Sequence, residues 1–250
     1  MGIEAWESMN IFRSYSPGLL MPQAFASPQF FCIDKGLKSK YNPLYVYFPG
    51  KIPREVFMPN NILDLIRARR STRVFQDRAV LRQDLETLLE AAVWAPSGGN
   101  NQSWLFTAIQ NKDILLKLNE LVRQGFQTYI PDDDYPGKQQ VKIHSQREGF
   151  NFYYHAPVLI IASNKPNYEN AMADCSLALE NIFLTAESLG LGSCYVNQLH
   201  WLQNDPGLRD FLFTLGIPRE HRICNSAVIG YTVKPSPVPA RKENTVRIVE

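Results

Sequence analysis

Across residues 170–189 the apolar side chains Met172, Leu177, Leu179, Ile182, Phe183, Leu184 and Ala186 go nearly all the way round a helix. A helix apolar on one stripe can lie on a surface. One apolar all round needs cover on every side, from other elements of its own chain or from a second subunit. Close before it, residues 157–162 form a continuous apolar, β-branched run, the pattern of a strand buried on both faces. With 250 residues, the chain is long enough for one well-covered core of α/β or α+β type.

Other elements follow from local signals. Asn61 is a good N-cap with Asp64 three residues on, so a short helix is expected to about Arg70. Leu85, Leu88, Leu89 and Ala92 recur at helical spacing over residues 82–94, and the run APSGG stops that helix. Residues 105–109 look like a strand, and 114–122 return to helical period. The polar stretch 124–146, Asp-rich around PDDDYPG, predicts a mobile excursion able to cover a site. Gly190 and Gly192 then turn the chain into a strand, Asp205-Pro206 opens another helix, and 223–231 reads as a strand. The tail from Thr232 is proline-rich and ends in the strand-like VRIV. Residues 1–60, rich in Pro, Phe, Tyr and Ser without sustained period, are expected to be an extension packed on the main body formed by 61–250.

Several functions are excluded by what the sequence lacks. A net charge of +2 gives no broad field for nucleic acid or anionic lipid, so an anion site must be local. No apolar stretch approaches the roughly 20 residues of a spanning helix, and no signal-peptide pattern opens the chain, so the expectation is a cytoplasmic protein without membrane or nucleic-acid partners. Cys32, Cys175, Cys194 and Cys224 are widely separated, with no CxxC and no histidine at ligand spacing; they read as small buried hydrophobes, and no metal is expected. His144, His155, His200 and His221 sit in separate contexts and read as structural. With neither a G-x-S-x-G elbow nor HExxH, hydrolysis has no machinery here.

Four segments carry candidate chemistry. Arg69, Arg70, Ser71 and Arg73 in RRSTR are a dense set of donors. Guanidinium forks beside a hydroxyl suit a phosphate or an electron-rich ring edge, and Arg69 and Arg73 share a face if helical geometry persists. A solvated basic helix end is the other reading. The loop APSGGNNQSW has glycines that permit close backbone approach and amides that both donate and accept, although an ordinary helix-to-strand loop has the same composition. LGLGSCYVNQ offers backbone N–H groups to a ligand, and Arg241-Lys242 is a local basic pair in the tail.

In this order and spacing the four segments resemble the nitroreductase family of flavoproteins, over about three-quarters of the chain from Ile62 onward. The resemblance implies an α+β fold, a three-layer α/β/α sandwich with a mainly antiparallel central sheet, dimeric, with active sites across the interface. It implies FMN as cofactor, with Arg69 and Ser71 on its phosphate and ribityl end and Arg70 assisting. Arg73 would sit by the pyrimidine edge, where a cation stabilises the charge that appears on reduction. Pro96, Ser97, Asn100 and Gln102, in a segment similar to the family's P-S-x-x-N-x-Q-P-W loop, would reach the ring from the other subunit; Ser103 stands where proline is usual. Val196, Asn197 and Gln198 would pass flavin N5, and Arg241 would close over the phosphate. The terminal VRIV could supply the arm that family members exchange, or fold on its own subunit.

The implied function is FMN-dependent, NAD(P)H-driven ping-pong reduction of a small-molecule acceptor such as a nitroaromatic, quinone or activated alkene. The protein itself contributes no catalytic nucleophile. NADH or NADPH would visit the flavin pocket, because no G-x-G-x-x-G follows a strand. The alternatives are a same-fold dehalogenase or dehydrogenase, or a non-catalytic flavin-binding protein.

Overall fold

A computed structural model describes residues 62–131 and 136–250. The expected extension 1–60 with Cys32, and Asn61, the expected N-cap of the first helix, lie outside the described residues. Seven helices and four strands follow in the order α1 (Ile62–Ala68), α2 (Arg82–Val93), β1 (Leu105–Ile109), α3 (Lys112–Thr128), α4 (Pro136–Ser145), β2 (Val158–Asn164), α5 (Ala171–Ser188), β3 (Gly192–Val196), α6 (Gln198–Trp201), α7 (Pro206–Thr214) and β4 (Arg222–Gly230). The strands form one sheet of order β1-β2-β4-β3 with every pairing antiparallel.

β2 explains the layering. All its residues are buried, and its pleat sends alternate side chains to opposite faces. Val158, Ile160 and Ala162 pack with Leu85, Leu88 and Ala92 of α2 and Ala178, Leu179 and Ile182 of α5. Leu159 and Ile161 pack with Leu115, Leu118, Val122 and Phe126 of α3 and Leu208 and Leu212 of α7. The sheet therefore lies between two helical layers, the expected sandwich. Each such aliphatic side chain taken out of water contributes about 1.5–3 kcal/mol.

α5 is the helix the opening pattern identified. It lies against α1, α2 and strands β2, β3 and β4. Its cover is nevertheless incomplete, since Leu177 is 48% exposed and Leu184 half-buried. α7 starts as the Asp205-Pro206 pattern requires, with the Asp205 carboxylate accepting the Leu208 N–H at 2.8 Å. Asn111 caps α3 in the same way.

Two expectations change. Residues 124–146 are not mainly a loop: α3 continues to Thr128 because Phe126 belongs to its buried stripe, and α4 covers Pro136–Ser145. Lys142 ties the two, its ammonium donating to the Tyr129 carbonyl at 2.5 Å. The strand-like VRIV forms no strand with the described residues, and Val246, Ile248 and Val249 are exposed. No helix among the described residues is long and apolar enough to cross a membrane. Cys175, Cys194 and Cys224 are free and buried, as small hydrophobes are expected to be.

Candidate active site

Helical geometry does not persist through RRSTR. α1 ends at Ala68, the Arg69 N–H still donates to the Leu65 carbonyl at 2.9 Å, and the chain then runs extended along the outer edge of β3. Ser71 bridges Ser193 in parallel, and the Thr72 N–H donates to the Ser193 carbonyl at 2.8 Å. In an extended segment alternate side chains share a side. Arg69, Ser71 and Arg73 are thus brought together by a period of two instead of a helical turn, and all three influence the same Cys194 thiol. Burial pushes that thiol up, opposed by Arg73, Ser71 and Arg69.

The same parity sends Arg70 and Thr72 elsewhere. They line a cavity of about 540 Å³ with Glu187, Gly190, Gly192 and Ser236, to which Arg69, Ser71 and Arg73 do not contribute. Burial raises the Glu187 carboxyl, and Arg70 and Arg69 pull it back. Arg70 donates from Nη1 to the Arg69 carbonyl at 2.6 Å, while its buried Nε has no partner among the described residues. Arg69 lies 3.9 Å from Glu180, a partly exposed pair of little energetic weight.

LGLGSCYVNQ is the other half of this unit. Gly190 closes α5 in the left-handed conformation (φ 71), with the Leu191 N–H returning to the Ala186 carbonyl at 2.8 Å. Gly192 then lies so close to Thr72 that a Cβ there would be 2.5 Å from Thr72 Oγ1 and 2.8 Å from its Cβ. Ser71 and Thr72 can therefore lie on β3 only because residue 192 is glycine. At the strand's end Val196 is buried, Asn197 half-buried, and Gln198 buried with Oε1 lacking a partner among the described residues.

The tail comes back to the same place. Gln76 N–H donates to the Tyr231 carbonyl at 2.8 Å, Val233 N–H to Val74 at 3.2 Å, and the Ser236 hydroxyl to Ser71 at 3.4 Å. The Arg78 guanidinium stacks 3.7 Å from the Tyr231 ring centroid and fixes this return. Arg241, five residues past Ser236, is exposed and makes no hydrogen bond or ion pair with the described residues.

The PSGGNNQ loop stands apart. Its 3-10 turn, Gly98–Asn100, is held by α5: the Gly98 N–H donates to both carboxylate oxygens of Asp174, at 3.2 and 3.3 Å. The Tyr168 hydroxyl joins them, 2.7 Å from Asp174 Oδ2 and 3.0 Å from the Gly98 carbonyl. Ser97 Oγ accepts the Gln102 N–H at 3.0 Å, and Gln102 donates from Nε2 to Asn100 Oδ1 at 2.8 Å. Asn100 and Gln102 adopt positive φ, 54 and 47, at about 1–3 kcal/mol each. Ser103, in the usual proline position, donates to Asn164 Oδ1 at 2.8 Å and so ties the loop by a hydrogen bond in place of a ring. Pro96 and Asn100 are exposed.

Asp174 and Glu187 are thirteen residues apart on α5, roughly 20 Å along its axis. One chain thus brings Arg69, Ser71, Arg73, the β3 segment and the tail together, and carries Ser97, Asn100 and Gln102 on a different end of the same helix. Sequence reasoning missed four residues here. Asp174 and Tyr168 hold the loop, and an acid among the apolar positions of the first turns of α5 was the signal. Asn151 and Tyr154 were the others: the Arg73 guanidinium lies 6.0 Å from the Tyr154 ring centroid, and Asn151 braces the backbone there. The nearby Cys194 thiol raises Arg73 above its ordinary pKa, with burial opposing and Tyr154 adding.

Chemically the arrangement suits an anionic, planar ligand. Arginine forks and a serine hydroxyl can take a phosphate, a second guanidinium can take a polar ring edge, and the unpartnered Gln198 Oε1 at the end of β3 leaves a hydrogen-bond acceptor. Among the described residues no cluster of His, Cys, Asp or Glu could hold a metal ion.

Comparison with known proteins agrees with this chemistry. A family model described as the nitroreductase family matches residues 66–231. A curated protein of Archaeoglobus fulgidus, whose name gives NADH dehydrogenase/NAD(P)H nitroreductase as its provisional activity, is 30% identical over 172 residues, 68% of this chain and 84% of that protein. A crystal structure of a nitroreductase with bound FMN from Bacteroides fragilis is 37% identical with a TM-score of 0.70, covering 76% of this chain and 100% of that one. A second, from Desulfitobacterium hafniense and also with bound FMN, is 25% identical with a TM-score of 0.65, covering 76% and 98%.

Proposed function

The chain belongs to the nitroreductase family and is an FMN-dependent oxidoreductase, and we propose that it reduces small nitroaromatics, quinones or activated alkenes at the expense of NADH or NADPH. The observation that carries the reading is the attachment of Ser71 and Thr72 to the edge of β3, which turns Arg69, Ser71 and Arg73 to one side beside the segment from Gly192 to Gln198.

Bound FMN supplies the chemistry, taking two electrons from the nicotinamide and giving them to the acceptor. The residues bind and orient. Arg69 and Ser71 hold the phosphate and ribityl end, Arg70 braces the segment from behind, and Arg241 closes over the phosphate from the tail that Ser236 brings to Ser71. Arg73 provides a fixed positive charge at the pyrimidine edge, favouring the reduced state. Val196, Asn197 and Gln198 line the central ring, with Gln198 Oε1 free to accept a hydrogen bond there.

In this reading two copies share each site. Pro96, Ser97, Asn100 and Gln102 contact the ring from the partner, which accounts for a loop held so firmly by Asp174 yet remote from Arg69 in its own chain. Leu177 on α5, Trp94 after α2 and the tail side chains Val246, Ile248 and Val249 are the apolar surface such a dimer covers. The tail then pairs with the other copy, and residues 61–250 act as the FMN-binding domain. NAD(P)H and the acceptor use one pocket in turn, with selectivity set by the segment 124–146. The three buried, free cysteines among the described residues suit the cytoplasm, where both nicotinamides are available.

Steady-state rates of the flavin-loaded enzyme with NADH or NADPH, varied against nitrofurazone and menadione, test the reading. Parallel double-reciprocal lines are expected. Intersecting lines, or flavin that stays oxidised after mixing with either nicotinamide, would overturn it.

A further inference from the structure

Just before β2 the backbone does something costly. Tyr154 and His155 adopt φ of 54 and 55, two successive side-chain-bearing residues in the left-handed region. Asparagine and glycine enter that region readily; an aromatic residue does so only where its surroundings compel it.

Two asparagines compel it here. Asn151 Oδ1 accepts the N–H groups of Tyr153 at 3.1 Å and His155 at 2.9 Å, and its amide lies 3.3 Å from His155 Nδ1. Asn119, reaching from α3, accepts the Phe152 N–H at 2.9 Å and donates to the Phe150 carbonyl at 2.9 Å. Phe152 and Tyr153 fill the core beneath. With both neighbours of the turn fixed, the Tyr154 ring emerges half-buried at the core's edge and faces Arg73, its centroid 6.0 Å from the guanidinium carbon. That is the outer reach of a cation–π contact. The phenol also helps hold the Arg73 proton.

A tyrosine is not what the turn itself asks for, since glycine would sit there without strain. Strain of this kind persists where the side chain it delivers is used. We propose that Tyr154, locked by Asn151, is a positioning residue for Arg73: it restricts where that cation stands and so tunes how strongly the reduced flavin is favoured over the oxidised one. The inference rests on the reading of Arg73 at the flavin's pyrimidine edge.

The experiment measures the midpoint potential of bound FMN by dye equilibration, with FMN affinity by fluorescence titration, in the full chain. Tyr154→Gly removes the side chain, relieving the backbone at the cost of the ring's packing on the core edge, and Tyr154→Phe keeps the ring alone. Tyr154→Gly is expected to lower the preference for reduced over oxidised FMN about tenfold, which for a two-electron couple is a potential about 30 mV more negative. Tyr154→Phe should give a smaller shift of the same sign. In an Arg73→Ala background, Tyr154→Gly should change the potential no further, because the two act as a unit. An unchanged potential in Tyr154→Gly, or an equal shift with and without Arg73, overturns the proposal while leaving FMN binding intact. If the wild-type chain takes up no FMN, the functional reading falls and this inference with it.

Discussion

Thr72 donates its backbone N–H to the carbonyl of Ser193 at 2.8 Å, and its side chain occupies the space a Cβ on Gly192 would need. The RRSTR segment and β3 are therefore one mechanical unit joined at a glycine. Gly192→Ala places a methyl 2.5 Å from Thr72 Oγ1 and 2.8 Å from its Cβ and Cγ2. It is expected to cost about 1–3 kcal/mol of stability as overpacking. Urea unfolding should show the loss, and FMN titration should show weakened uptake in the fraction that folds.

Asp174 is buried among the apolar core side chains of α5 and holds the N–H of Gly98 and the hydroxyl of Tyr168. Asp174→Ala leaves the Gly98 N–H without its acceptor and the Tyr168 hydroxyl with the Gly98 carbonyl alone, and is expected to destabilise by about 1–3 kcal/mol. Limited proteolysis should reveal the loop 96–102 as newly cleavable. A loop as resistant as in the wild type would show that Asp174 is not its anchor.

The same contact fixes a pH dependence. The hydrogen bond to the Asp174 carboxylate raises the Tyr168 phenol above its ordinary value of 10.0. Above that value, and up to the folded one, the folded chain keeps a proton the unfolded chain has released. This contribution is fully present below about pH 10 and is lost as pH rises through the folded value. Thermal melts between roughly pH 9 and pH 11.5 should fall more steeply for the wild type than for Tyr168→Phe. Equal slopes would remove Tyr168 from the account.

Arg73 and Arg241 should separate by readout. Arg73→Ala removes a charge-assisted contact worth about 1.5–3 kcal/mol, so FMN affinity should drop about 10- to 100-fold and the flavin potential should fall. Arg241→Ala should loosen FMN while leaving the potential near the wild-type value. If neither variant altered FMN retention, the residue assignments would be wrong even with the fold right.

The layering was legible because β2 and α5 announce burial directly, in an unbroken apolar run and an apolar helix. The second half of the excursion at 124–146 was not, since α4 is polar along most of its length and is held by contacts such as Lys142 to Tyr129. RRSTR was recognised as a cluster, but the reason its alternate arginines face together was hidden: extended geometry against β3 depends on Gly192, 120 positions away in the chain. Tyr154 could not be read at all. In NFYYH only the hydrogen bonds of Asn151 and Asn119 show that the turn is forced.

The most direct measurement is the flavin content of the purified protein. Absorbance in the flavin bands, with one FMN released per chain on denaturation and bleaching on anaerobic addition of NADH or NADPH, is the result this account expects. Colourless protein that takes up no FMN on reconstitution would contradict it.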